Sequence, residues 1–237
     1  MQQPNDPFWF FPNDVIFNIA LKEPIEGIPN LCLSSDRLNN LICNNNNFWK
    51  KRFILDFGIP EKNIILWKDA YYNYNTVFSF GNNNSGQLGL GDSFGRLIPT
   101  SIQPPNSYQE YGFEGKAKSI ACGNYHSMFI DLRNNVWTCG FNSSGQLGLD
   151  DNTDRFSPER IMPSGEFTGK AKVIACGYEH SMLIDFNDNV WVFGSNENCQ
   201  LGLGDTDDRH IPEQIIFDDT NKIKAVSCGY AHTVIID

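Results

Sequence analysis

SGQLGLGD, residues Ser85–Asp92, has the glycine density of a phosphate-binding loop, and Gly81 precedes Gly86 by a four-residue gap. The same stretch returns as SGQLGLDD at Ser144–Asp151 and as NCQLGLGD at Asn198–Asp205. A P-loop carries lysine and then a hydroxyl residue after its last glycine, to reach the outer phosphates and hold magnesium. Gln87, Gln146 and Gln200 stand in the lysine position. The dinucleotide fingerprint fails too, because Gly86, Gly89 and Gly91 run in the reverse spacing and no helical pattern follows. A loop present three times in one chain reads as scaffold: its glycines permit a tight turn, and Leu88, Leu147 and Leu201 plug the gaps between units.

Working outward, VFSFG, VWTCG and VWVFG lead into the three copies and end on Gly81, Gly140 and Gly194. Gly86 and Gly145 follow in the turn of the first two copies, and Cys199 takes that place in the third. A second motif alternates with the first, as ACGNYHSMFID, ACGYEHSMLID and SCGYAHTVIID. Its histidines, His126, His180 and His232, are 54 and 52 residues apart. Short runs of β-branched and aromatic residues, punctuated by Gly, Asn, Asp and Pro, read as strands. A period near fifty with several such strands per unit predicts propeller blades, of which Val77 to Asp237 holds three. The region opens on the late strand of a blade, Val77 to Phe80, and Asp237 is equivalent to Asp131 and Asp185, just ahead of where that strand recurs. Three blades fall below the usual range of about four to eight. The expectation is an open or partial propeller whose bare strand edges favour self-association. Two alternatives stand beside it: a six-bladed ring shared head to tail by two chains, and a truncated relative of a longer protein.

The first part of the chain has a different period. Pro12 suits a first helical turn, Asp14 the positive helix end, and Val15, Ile16 and Ile19 recur at helical spacing. Ile28-Pro29 opens a second short helix carrying Leu31, and Ser35 or Asp36 caps a third whose Leu38, Leu41 and Ile42 share one face. The run Asn44 to Asn47 reads as a break. FWKKRF at 48–53, with Trp49, is then a fourth helix, aromatic on one side and basic on the other, and residues 66–74 read as a helix joining the halves. The predicted fold class is α + β and multidomain: an aromatic tail over 1–10, a helical domain over 11–56, a linker helix over 57–76, and an all-β partial propeller of about three blades over 77–237.

Composition narrows the function classes. A net charge of −10 repels phosphate backbones and anionic lipid, so neither nucleic acid nor membrane is an expected partner. Phe8-Trp9-Phe10-Phe11 is too short for a membrane anchor and reads as a staple over the first helices. Seven cysteines, no signal-peptide pattern and no run of about eighteen apolar residues predict a reduced intracellular protein, cytoplasmic or nuclear, in the host cell if the source is viral. Cys122 with His126, Cys176 with His180 and Cys228 with His232 repeat C-x-x-x-H, but equivalent residues of a propeller sit in different blades and do not converge on one tetrahedral ion. The plainer reading packs the cysteines between sheets and bonds the histidines to neighbouring backbone. Ser127, Ser181 and Thr233 follow every histidine and so belong to the scaffold rather than to a hydrolytic triad. No catalytic residue, metal or cofactor is expected, and the chain does not read as an enzyme.

Both parts resemble known families. The repeats are similar to those of the regulator of chromosome condensation family, which run approximately V-x-x-x-G-x-N-x-x-G-Q-L-G-x-G, then Pro, then A-C-G-x-x-H-[ST]; the likeness covers Val77 to Asp237 and departs at Cys199 and Asp150. The segments FPNDVIFNIA, IPNLCLSSDRLNNLI and NFWKKRF resemble an F-box, with its proline-led first helix, L-x-x-L-x-x-x-[SC] region and closing W-K. That resemblance implies docking on a Skp-type linker subunit and cullin ligase core through Pro12, Val15, Ile16, Ile19, Leu31, Leu38, Leu41 and Trp49, with the blades holding an unknown protein substrate for ubiquitination. A helical segment of about forty residues seldom buries enough surface alone, which fits a partner-binding role. The rival readings are an interaction propeller with no ligase role, its helices serving as a cap, and a guanine-nucleotide exchange factor for a small GTPase.

Overall fold

The alternating runs of the repeat region are strands in the computed structural model, which describes residues Ile16, Phe17, Ala20, 39–57, 75–103, 112–217 and 223–237. The chain divides into two units, Met1–Tyr74 and Asn75–Asp237, each taken here by itself.

In the second unit, β3 (Ser119–Cys122), β4 (His126–Ile130), β5 (Val136–Gly140) and β6 (Arg155–Arg160) form one four-stranded antiparallel blade. β7 (Val173–Cys176), β8 (His180–Ile184), β9 (Val190–Gly194) and β10 (Arg209–Ile215) form a second in the same order. The registers repeat as well: His126 faces Gly140 and Ile130 faces Val136, as His180 faces Gly194 and Ile184 faces Val190. Half-blades flank them. β1 (Phe78–Gly81) pairs only with β2 (Arg96–Ser101), and β11 (Ala225–Cys228) only with β12 (Thr233–Ile236). These are the outer and the inner pair of a blade respectively, so the expected partial propeller is an open series among the described residues.

Every residue of β4, β5, β8 and β9 is buried, because successive side chains point to opposite faces and each face meets a different neighbour. Met128, Ile130 and Val136 of the first blade pack with Leu183, Trp191 and Phe193 of the second. On the reverse face of the first blade, Phe129, Trp137 and Cys139 pack with Val77 and Ile102 of the leading half-blade. The far face of the second blade, Met182, Ile184 and Val192, is covered by Ile223 and Ile235. Full burial of such a side chain stabilises by about 1.5–3 kcal/mol, so stacked blade faces are the main source of stability in this unit. Hairpins are tied by aspartate: Asp131 Oδ1 accepts from the backbone of Arg133 and Asn135 at 2.8 Å, and its Oδ2 accepts from Trp137 Nε1 at 2.9 Å. Asp185 does the same for Asn187, Asn189 and Trp191.

In the first unit, Ile16, Phe17 and Ala20 are helical, a short π-helix covers Asn39–Cys43, and α1 spans Asn46–Phe57. The asparagine run does break the chain, at Asn44 and Asn45, and it also caps the helix that follows. Asn45 caps α1, its Oδ1 accepting from the backbone N–H groups of Asn47 (3.0 Å) and Phe48 (3.3 Å), and the helix begins earlier and ends later than the 48–53 expectation. Ile16, Ala20, Ile42, Phe48 and Trp49 are buried, Phe17 meets Phe48 edge-on at 5.3 Å, and Trp49 Nε1 donates to the Cys43 carbonyl at 3.1 Å. Cys43 is disulfide-bonded, which departs from the fully reduced cysteines expected from composition. No helix among the described residues is long and apolar enough to cross a membrane.

Candidate interaction surface

The recurring polar residues serve as internal ties. Asn83, Asn142 and Asn196 are fully buried, each accepting at Oδ1 from the backbone of Leu88, Leu147 or Leu201 and donating from Nδ2 to the carbonyl of Asp92, Asp151 or Asp205, all within 2.8–3.0 Å. This pins the glycine-rich loop, and the three leucines are buried as expected. Gly81, Gly140 and Gly194 end their strands at φ +107°, +113° and +103°. Gly86 and Gly145 sit where a Cβ would lie 2.7 Å from Phe156 Cα and 2.6 Å from His210 Cα, so their loops press on the outer strand of the next blade. Cys199 adopts the same left-handed backbone, φ +58°, in the loop that faces no further outer strand among the described residues.

The histidines correct one expectation. Their partner is not neighbouring backbone but the hydroxyl of the next repeat. His126 Nε2 meets Ser181 Oγ at 2.8 Å and His180 Nε2 meets Thr233 Oγ1 at 3.2 Å. Each hydroxyl donates in turn to a loop carbonyl, Ser181 to Gln146 and Thr233 to Gln200, both at 2.8 Å. The hydroxyl hydrogen is thereby committed, so the imidazole must donate, which assigns the neutral Nε2–H tautomer. Burial, with a smaller contribution from the next histidine, pushes His126 down to about 3 and His180 down to about 4. Gly177 is needed beneath the ring, since an added Cβ would lie 2.1 Å from His180 Cε1. His232, by contrast, is exposed.

Three repeat cysteines are held as thiols. Burial raises the Cys139 and Cys176 thiols and carries Cys228 up to about 12, the opposite of what a thiolate nucleophile needs. Cys122 is exposed and Cys176 and Cys228 are half-buried, so the cysteines are less interior than their spacing suggested. Among the described residues no group of His, Cys, Asp and Glu is placed to hold a metal ion.

Two features escaped the sequence reading. Arg96, Arg155 and Arg209 each clasp the aspartate four residues earlier, Asp92, Asp151 and Asp205, at 2.6 Å, and hold those carboxyls below the usual range. The other is a tyrosine file. Tyr125, Tyr178 and Tyr230 lie in the turns between the first and second strands of successive blades, with ring centroids 5.7 and 4.1 Å apart, and Phe141 lies 6.1 Å from Tyr125. Tyr125 and Tyr230 are exposed, 38% and 67%. The flanking Tyr125 and Tyr230 hydroxyls carry the Tyr178 phenol up to about 12. A file of touching aromatic rings, exposed at Tyr125 and Tyr230 and half-buried at Tyr178, is a surface suited to another protein.

Of the residues expected to bind a Skp-type subunit, Ile16 and Trp49 lie in the interior of the first unit and Leu41 is half-buried. Pro12, Val15, Ile19, Leu31 and Leu38 lie outside the described residues, as do the expected helix at 66–74 and most of the loop from Gln103 to Gly115.

Stacked four-stranded blades joined by one repeated set of ties define a β-propeller repeat protein. The chain belongs to the regulator of chromosome condensation (RCC1) repeat family, whose repeat matches residues 74–130, 133–184 and 187–236. It is 34% identical over 159 residues to the ultraviolet-B receptor UVR8 of Arabidopsis thaliana, covering 67% of this chain and 34% of that protein. It is 32% identical over 157 residues to the probable E3 ubiquitin-protein ligase HERC3 of Homo sapiens, covering 66% of this chain and 14% of that one. Among solved structures, human WBSCR16 superposes with a TM-score of 0.58 at 23% identity over 70% of this chain and 41% of its own, a likeness of fold. The chain thus spans about a third or less of the curated relatives it matches here.

Proposed function

We propose that this chain is a non-catalytic adaptor, in which the repeats hold a protein and the segment over 11–56 docks on a Skp-type linker subunit of a cullin ubiquitin ligase. The observation that carries the first half is the internal commitment of recurring polar groups, His126 to Ser181 and Asn142 to Leu147 among them, while aromatic residues such as Tyr125 and Tyr230 stay at the surface. A repeat built this way offers contact area rather than chemistry. The second half is supported by the F-box-like pattern of the N-terminal segments, and by the relative named a probable ubiquitin-protein ligase, in which the matched repeats make up only 14% of the protein. Ile16 and Trp49, being interior, would shape the docking helices, with Val15 and Ile19 assigned to the contact by the resemblance. The adaptor raises the effective concentration of a target lysine near the conjugating enzyme.

The test is affinity capture of the full chain from cells, read by mass spectrometry for the Skp–cullin core and for cargo. Val15→Asp with Ile19→Asp should remove the core and keep the cargo. Undiminished recovery of the core with the double variant would defeat the docking assignment.

A further inference from the structure

We infer that the end of the blades carrying the tyrosine file docks an arginine-bearing segment of a partner protein, its guanidinium lying on the rings of Tyr125 and Tyr178 beside the carboxylates of Glu179 and Glu197. This names the chemistry of what the repeats hold, and so rests on the reading of them as an interaction surface.

At this end the two complete blades share a scaffold and differ at the positions between its fixed points. The β3–β4 and β7–β8 turns open on Gly123 and Gly177, and each leads into a rung of the histidine ladder, His126 on Ser181 and His180 on Thr233. The loops after β5 and β9 each carry a buried asparagine, Asn142 and Asn196. Tyr125 and Glu179 stand directly before the two histidines, Phe141 and Ser195 directly before the two asparagines, and Ser143 and Glu197 directly after them. One backbone bond joins each set: Phe141 N–H donates to the Tyr125 carbonyl at 2.9 Å, and Ser195 N–H to the Glu179 carbonyl at 2.8 Å. The same framework thus presents two aromatic rings in the first blade and two carboxylates in the second. Tyr178 links them, sitting next to Glu179 in the chain with its ring 5.7 Å from that of Tyr125. None of these residues belongs to either half-blade.

The rings supply the apolar surface, and the charges set the sign of its occupant. Two further carboxylates are anchored here, Asp154 on the Asn142 N–H at 2.8 Å and Asp208 on the Asn196 N–H at 2.7 Å. Burial first, then the Glu197 carboxylate and more weakly Asp208, hold Glu179 above the usual carboxylate range against a hydrogen bond from Ser144. Residues 123–125, 141–144, 177–179 and 195–198 include no lysine or arginine. Beside the anchored aspartates, Arg155 is committed to Asp151 and Glu159, and Arg209 to Asp205 and Glu213. A segment that brings its own cation gains both an aromatic face and a carboxylate. Arginine suits this better than lysine, because a flat guanidinium stacks on a ring while its N–H groups still reach a carboxylate. Pairing this end with itself would set carboxylate against carboxylate, so the face selects a different protein.

Fluorescence anisotropy of the purified full chain with a fluorescein-labelled peptide of alternating arginine and glycine, at about 50 mM salt, should show saturable binding that weakens as salt rises to about 300 mM. The citrulline version, which keeps the shape and loses the charge, should bind at least about tenfold more weakly, and the lysine version several-fold more weakly. Tyr125→Leu and Glu197→Gln, both at exposed positions, should each weaken the arginine peptide about three- to tenfold with the urea midpoint unchanged. No saturable binding, a citrulline or lysine peptide that binds as tightly as the arginine one, or arginine binding indifferent to both variants overturns the proposal. Cargo captured from cells equally well by the chain carrying both substitutions overturns it too, while leaving the adaptor reading standing; absence of cargo from both chains overturns the reading beneath it.

Discussion

Gly145→Ala and Gly204→Ala form a matched pair that separates backbone strain from blade contact. Both glycines belong to the repeated loop and both have left-handed φ, +77° and +87°. At Gly204 an added Cβ meets nothing within 4 Å, so alanine there bears only the left-handed penalty, about 1–2 kcal/mol, less a few tenths returned by a stiffer unfolded chain. At Gly145 the same atom would lie 2.4 Å from His210 Nδ1, 2.6 Å from His210 Cα and 2.9 Å from Arg209 O. Two of those three are backbone of β10, which must retreat by about an ångström, and overpacking of that kind adds roughly 1–3 kcal/mol. Gly145→Ala should therefore cost about 2–5 kcal/mol against about 1 for Gly204→Ala. Urea unfolding of the full chain measures this as a shift in midpoint at constant slope. Equal shifts for the two variants would refute the claim that the repeated glycines exist to let blades approach.

Buried neutral histidines make the fold acid-sensitive. His126 and His180 are depressed to about 3 and about 4, while the unfolded chain titrates near 6.5 and so takes up protons first. Stability should be fully present above pH 6.5 and fall as pH drops from there toward 4, by up to about 1.4 kcal/mol per pH unit for each histidine, and a midpoint unchanged between pH 7.5 and 5 would contradict the ladder. Ser181→Ala leaves His126 Nε2–H and the Gln146 carbonyl unpaired in the interior and should cost about 2–3 kcal/mol by thermal or urea unfolding. Ser181→Thr, the residue used by the third repeat, should recover most of that loss.

Legibility in the sequence followed the range of each interaction. The 54- and 52-residue spacing of the histidines announced blades, and the β-branched and aromatic runs announced strands, whose burial on both faces the structure adds. The histidine's partner was not legible, because Ser181 is 55 residues from His126 and no local pattern joins them. The tyrosine file was hidden by an offset: Tyr125 directly precedes its histidine, whereas Tyr178 and Tyr230 stand one position earlier, yet all three side chains meet. The Asp–Arg clasps recur in register but tie a loop aspartate to the first residue of an outer strand, where neither helical nor strand periodicity draws attention to them. Asn45 shows the opposite difficulty, since a polar run that interrupts one helix supplies the cap of the next.

Calorimetric titration of the purified full chain with a purified Skp-type linker subunit tests the adaptor account most directly. A specific contact of standard size, about 1,200–2,000 Å² in total, should give a saturable one-to-one heat with a dissociation constant near or below about 1 µM, abolished by Val15→Asp with Ile19→Asp. Absence of any saturable heat at concentrations about a hundredfold higher, or binding that the double variant leaves intact, would contradict it.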